Sequence, residues 1–356
     1  MVSATQVRET AVDPHRALRW WLYSLCLLIF IMVLVGGATR LTDSGLSITE
    51  WKPLLGIIPP LSEADWQDAF WKYQQIPEYH TVNKGMSLEA FKFIYWWEWS
   101  HRFLGRAVGF AFLIPFLIFW AKGMIPRAFM PRLIVMFVLG GLQGALGWYM
   151  VKSGLVDRVD VSQYRLAAHL CAALLIFGYI FWVALDLRPA GPARVQGDGF
   201  LAASSAALVG LLFLQIALGA FVAGLDAGQG YNTWPLMDGA LIPSGLGAMS
   251  PWYLNLFENA LTVQFNHRIL AYLVALWAVI HAAASYRRAG EGPVSLTASV
   301  MVVAIIVQIA LGVATLLSHV ALDLALMHQG GAVVLLALAL YQLHQFVGRP
   351  QTGGIA

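Results

Sequence analysis

The chain has 356 residues, of which 59% are hydrophobic and only 12% charged, with a formal net charge of +3. A soluble protein carries roughly 25% charged residues, so the composition excludes a soluble domain and indicates an all-α polytopic membrane protein. No basic patch accompanies the small net charge, so nucleic acid is not a partner. The two cysteines, Cys26 and Cys171, both lie in apolar runs. They exclude a disulfide framework and a cysteine metal site, and read as small buried apolar residues.

The first 18 residues contain Glu9 and Asp13 and lack the charged-then-apolar order of a signal peptide and the acid-poor character of a transit sequence. They are expected to form a cytoplasmic tail, followed by a retained first span. Spans need about 20 mostly apolar residues. Eight are predicted: 19–38, 98–121, 131–152, 165–187, 200–225, 262–285, 294–318 and 323–347. A long outer loop, 38–97, rich in Trp, Pro and acids, is expected to fold over the bundle mouth. The Pro/Gly-rich stretch 188–199 reads as a linker between a first four-helix unit, 19–187, and a second, 200–347. Residues 348–356 read as a second cytoplasmic tail. Lys and Arg occupy every segment on one side: the N-terminal tail, Lys122/Arg127/Arg132, Arg188/Arg194, Arg287/Arg288 and Arg349. That bias places both termini in the cytoplasm and the long loop outside.

The halves correspond. Asp43-x-Gly45 and Trp51-x-Pro53-Leu54 follow span one; Asp226-x-Gly228 and Trp234-Pro235-Leu236 follow span five. His101-Arg102 opens span two and His267-Arg268 opens span six. Gln143 and Gly147 in span three match Gln308 and Gly312 in span seven; His169 in span four matches His328 in span eight. Matching pairs in the same order indicate a tandem repeat of two four-helix bundles. With an even number of spans per unit, the two share one orientation.

Ionisable groups inside a span usually mark function. His101, His169, His267 and His328 each lie near the start of an even-numbered span, so all four sit at similar depth toward the outer face. Each unit offers two histidines to its interior, where bundle cofactor sites are built. Imidazole ligates zinc, copper and iron, but a zinc site wants three or four ligands. Two facing imidazoles suit the axial positions of a haem. Arg102, Arg106 and Arg268 lie at the right helix ends to pair with haem propionates. The plain alternative for any one of the four is a hydrogen bond to a neighbouring helix. His15, His80, His281, His319 and His344 have no counterpart in the other half and read as ordinary polar or solvated residues.

The halves also differ. Glu98 lies three residues before His101, on the same helical face, and its counterpart is Gln264. A carboxylate beside only one site suggests that one site does chemistry and the other serves it. Glu98 could handle protons, or simply pair with Arg102 at i,i+4. Gly140-Gly141-x-x-Gly144 and Gly219-x-x-x-Ala223 read as close helix-packing positions.

The sequence resembles the haem A synthase family over nearly its whole length. The resemblance rests on Gly36-Gly37-Ala38-Thr39-Arg40-Leu41-Thr42-x-Ser44-Gly45-Leu46-Ser47, on Trp51-Lys52-Pro53 and Gly56-x-x-Pro59-Pro60, and on Glu98-x-x-His101-Arg102. It implies a bacterial inner-membrane enzyme that oxidises a ring methyl of haem o, in two hydroxylations, to the formyl group of haem a for terminal oxidases. It also implies substrate haem o at His101 and His169, with Glu98 catalytically important, and a resident haem b at His267 and His328. An electron donor is implied but unidentified, and haem O synthase is a candidate for substrate delivery. The chain lacks the cysteine pairs that one subgroup carries in its outer loops, and so resembles the cysteine-free members. On the residues themselves, a di-haem electron-transfer protein and a haem carrier remain alternatives. Neither would convert haem o.

Overall fold

The computed structural model describes residues 13–52, 55–157, 161–188 and 198–347. Among them ten α-helices form: α1 (Arg16–Leu41), α2 (Glu63–Tyr73), α3 (Pro77–Thr81), α4 (Leu88–Ala121), α5 (Met130–Asp157), α6 (Gln163–Asp186), α7 (Gly199–Gly224), α8 (Ala260–Ala289), α9 (Pro293–Leu317) and α10 (Leu322–Val347). All but α2 and α3 are long and apolar enough to cross a membrane. Lipid offers the backbone no hydrogen-bond partner, so such segments must satisfy their own N–H and C=O groups, and a helix does so. The eight expected spans are therefore present in the expected order.

Several boundaries move. The second membrane helix begins at Leu88, ten residues before the expected start. Its extra turns carry Phe91, Ile94 and Tyr95, which pack with Leu46, Phe70, Tyr73 and Ile76. Ser87 caps the helix by accepting from the Ala90 N–H at 3.2 Å. The extension escapes sequence reading because its apolar stripe faces a small extramembrane core, while its other faces carry Glu89 and Lys92. The long segment between the first two membrane helices contains α2, α3 and this extension. The first helix likewise starts at Arg16, inside the expected tail. Of the linker, 189–197 lie outside the described residues, as do 1–12, 348–356, Pro53 and Leu54.

Helix α1 touches α4 and α6, and α5 touches the same two; α7 touches α8 and α10, and α9 touches the same two. The two groups meet where α6 lies on α7 and where α1 and α6 lie on α10. The stripe Leu18, Leu22, Leu25, Ile29 and Val33 of α1 packs there against Leu174, Phe177 and Ile180 of α6 and Val333 and Leu336 of α10. Its three- and four-residue spacing places those side chains on one helical face. Lipid tails are as apolar as Leu, so close packing rather than water exclusion holds this seam.

Polar ties flank it. At one end Arg40 of α1 pairs with Asp226 at 2.7 Å, and Glu258 accepts from Gln163 at 2.8 Å and from Tyr164 at 2.7 Å. At the opposite end Asp186 pairs with Arg132 at 2.6 Å and His344 at 2.9 Å. The two Asp-x-Gly segments end their helices alike. Asp43 and Asp226 both take a left-handed φ of 49°. The N–H of the next residue reaches back five positions: Ser44 to Thr39 at 2.9 Å and Ala227 to Val222 at 3.0 Å, a common helix-stop geometry.

Candidate functional site

Each of the four predicted histidines lies against a glycine of the preceding membrane helix. A Cβ at Gly36 would sit 3.0 Å from Cε1 of His101, and one at Gly147 3.0 Å from Cε1 of His169. The same holds for Gly219 and His267 at 3.0 Å and for Gly312 and His328 at 2.8 Å. Only a glycine lets the imidazole lie that close to the neighbouring backbone. The expectation that Gly219 serves helix–helix packing is thus corrected: what it accommodates is a ring. Gly140, Gly141 and Gly144 are corrected too, because a Cβ at any of them would meet nothing within 4 Å.

A glutamine one helical turn before the glycine completes three of the four arrangements. Nε2 of Gln143 donates to the main-chain carbonyl of His169 at 2.9 Å and stands 3.2 Å from its Nδ1. Gln308 does the same to His328, at 2.7 and 3.1 Å. Gln215, which sequence reading passed over, does it to His267, at 3.0 and 3.1 Å. The signal that finds it is the Gln-x-x-x-Gly spacing shared by Gln143–Gly147, Gln215–Gly219 and Gln308–Gly312. Nδ1 of His328 also lies 3.2 Å from the Gln308 carbonyl oxygen. With a proton on Nδ1 that contact is a hydrogen bond, and Nε2 is left as the ligating nitrogen.

The rings of His267 and His328 stand 6.5 Å apart, centroid to centroid, at 80°. Two imidazoles spanning one metal need about 6 Å, from two ~2 Å metal–nitrogen bonds and two ring radii. Among the described residues no three His, Cys, Asp or Glu side chains gather as a metal cluster. Paired imidazoles in an apolar bundle, each backed by glycine, fit a flat metalloporphyrin better than a bare ion.

Glu98 is buried, 2% exposed, and its carboxylate is fully engaged. Oε1 accepts from Arg102 Nε at 3.0 Å and Nη2 at 2.6 Å; Oε2 accepts from Ser47 Oγ at 2.8 Å and the Ile48 N–H at 2.6 Å. Arg102 donates on to the carbonyls of Ile48 at 2.6 Å and Glu50 at 2.8 Å. The loop after α1 is therefore clamped onto α4. The second half repeats the clamp with polarity inverted. Gln264 donates to the carbonyls of Ala227 at 2.6 Å and Gly230 at 2.9 Å, and Arg268 donates to Gln264, Tyr231 and Thr233.

The three arginines predicted for propionates thus hold loop carbonyls. Arg106 reaches Lys52 at 3.0 Å, and a Cβ on Gly56 would sit 2.9 Å from its Nη2. The remaining histidines take ordinary roles. His281 is buried beside Ser204, at 3.0 Å, and Gln342, at 3.1 Å; His80 and His319 are exposed.

Residues 19–340 match a family model described as cytochrome oxidase assembly protein. Proteins named heme A synthase are 54% identical in Parvibaculum lavamentivorans, over 93% of this chain and 94% of the relative, and 54% identical in a Chelativorans species, over 95% of each. One from Nitrosospira multiformis is 50% identical over 91% of this chain and 92% of its own. The chain belongs to the haem A synthase family. Haem A synthases are oxidoreductases of haem biosynthesis, and here that class of chemistry sits in an eight-span membrane protein. The motifs that carried the resemblance map onto the clamp and onto the glycine under His101.

Proposed function

We propose that this protein converts haem o to haem a in the bacterial inner membrane, oxidising a ring methyl to a formyl group through successive hydroxylations. Two four-helix units divide the work, α1 with α4–α6 and α7 with α8–α10. In the first, His101 and His169 grip the substrate haem; in the second, His267 and His328 hold a resident haem b. The observation that carries this is the fourfold imidazole-on-glycine arrangement, in two pairs, in a chain whose relatives are named heme A synthase.

The resident haem supplies one-electron chemistry; the protein supplies binding, orientation and electrostatics. Gln143, Gln215 and Gln308 donate to the main-chain carbonyls of His169, His267 and His328 and so fix the helix backbone that carries each ring. Arg268 offers a buried Nε with no hydrogen-bond partner, suited to a propionate of the second haem, while Arg102 and Arg106 frame the mouth of the first. Glu98 fixes the outer loop over the substrate pocket and handles protons there. The termini face the cytoplasm and both haem sites lie toward the periplasm. The reaction draws electrons from a donor outside this chain, and haem O synthase delivers substrate.

Pigment extraction from the purified protein, with and without a supply of haem o, tests the proposal. Expected are protohaem under all conditions and a formyl-bearing haem only when haem o is supplied. Protohaem alone in both cases means an electron-transfer protein. Unaltered haem o recovered in the presence of oxygen and reductant means a carrier.

A further inference from the structure

The two units differ along one side. In the second, α8 and α9 close on each other: Leu270, Val274 and Ala278 share a core with Met301 and Ile305, and Ala275 and Ile309 pack against it. By position relative to His267 and Gln308, Ala275, Ile305 and Ile309 match Gly109, Gly140 and Gly144 of the first unit, counted from His101 and Gln143. All three glycines are exposed, and a Cβ on any of them would meet nothing within 4 Å. Helices α4 and α5 touch through the rings of Phe112 and Phe137, 6.1 Å apart, in the half nearer their connecting turn. Farther along, Trp148 of α5 meets Trp51 of the loop after α1, 6.5 Å away, and that loop is tied to α4 by Glu98 and Arg102. Between the two aromatic contacts, about 16 Å apart along α5 at ~1.5 Å per residue, the glycines leave a side window.

The window opens at a histidine of the first pair. Gln143 and Gly147, the residues against His169, lie on the same stretch of α5. Gln143 uses Nε2 on the His169 carbonyl, and its Oε1 is buried with no hydrogen-bond partner. A buried acceptor left unmet is unfavourable, so an occupant that brings a donor fits there. We infer that this window is the subsite for the isoprenoid chain of the substrate haem, which leaves the His101–His169 pocket sideways, between α4 and α5, into lipid. Haem o carries a farnesyl chain whose first carbon bears a hydroxyl, the donor that Oε1 lacks. Lipid is as apolar as the chain, so the window need only give it room, and glycine does. Protohaem has no such chain, and in the unit assigned to it isoleucine and alanine fill the same side. This inference rests on the haem-binding reading proposed above.

The test uses full-length protein in lipid nanodiscs with its second-unit haem retained, added haem o or added protohaem as probes, and optical spectra as readout. Gly140→Ile with Gly144→Ile puts into the first unit the side chains that stand in the second. The double variant should take up haem o roughly 10-fold less well or worse and protohaem as well as the wild type does. The second-unit spectrum reports folding; where the double variant loses it, Gly144→Ile alone decides by the same comparison. A haem with a photoreactive group at the end of its farnesyl chain should label α4 and α5 on illumination. Undiminished haem o uptake in the variant, protohaem uptake lost in step with it, or label confined to α6 or the loop after α1 overturns the inference. Wild-type protein that takes up no haem overturns the haem-binding reading instead.

Discussion

Replacing Glu98 by Gln turns one carboxylate oxygen into an amide nitrogen where every neighbour donates. The side-chain oxygen that remains can keep Arg102. The new NH2 then faces the Ile48 N–H, which approaches Oε2 at 2.6 Å, and the Ser47 hydroxyl at 2.8 Å. Ser47 can rotate and accept; the amide of Ile48 cannot. Each hydrogen bond to a charged group contributes about 1.5–3 kcal/mol. Losing one outright and weakening the others costs about 2–4 kcal/mol, and the loss falls on residues 47–50. Hydrogen exchange of those amides should accelerate roughly 30- to 1,000-fold if it proceeds by local opening. Haem a yield should fall in parallel. Unchanged exchange refutes Glu98 as the loop anchor. Faster exchange with a normal yield of haem a refutes its role in proton handling. Gln264→Glu is the mirror experiment: a carboxylate against the Ala227 and Gly230 carbonyls should loosen the second loop and weaken haem b retention.

Gly219→Ala and Gly312→Ala push a methyl to within 3.0 and 2.8 Å of the His267 and His328 rings. Overpacking of this kind costs about 1–3 kcal/mol, so protohaem per polypeptide should drop while Gly140→Ala, in open space, leaves it unchanged. Asp186→Asn removes the charge between Arg132 and His344. Breaking a buried pair costs 3–5 kcal/mol, discounted here to about 2 kcal/mol because Arg132 is 20% exposed; a thermal midpoint in detergent equal to wild type would show that the tie contributes nothing. Lys52 and Lys72, hydrogen-bonded to Glu50, hold its carboxyl below the usual range. Its contribution to the loop between the first two membrane helices is present above the unfolded pKa and lost as pH falls through the lower folded value. Protection of the amides around Lys72, measured against their intrinsic exchange rates, should therefore fall only in acid, below about pH 4, and Glu50→Gln should abolish that fall.

Periodicity and composition were enough for the eight spans, because lipid leaves a long apolar segment no alternative to the helix. The paired motifs were legible as pairs, and their local geometries agree: Asp43 and Asp226 end their helices alike, and His101, His169, His267 and His328 each lie on a glycine of the preceding membrane helix. Local pattern could not show what each histidine touches. The glycines under the rings and the Gln215 amide at His267 come from neighbouring helices, and only helix packing decides which residue faces which. Glu98 shows the same limit from the other side. Its spacing to Arg102 was readable as an i,i+4 pair, but the Ile48 amide that fixes its second oxygen lies 50 positions away. Side-chain order along one helix follows from the 3.6-residue turn. Contact between helices depends on their rotation and depth, which the sum of all packing sets and no single segment encodes.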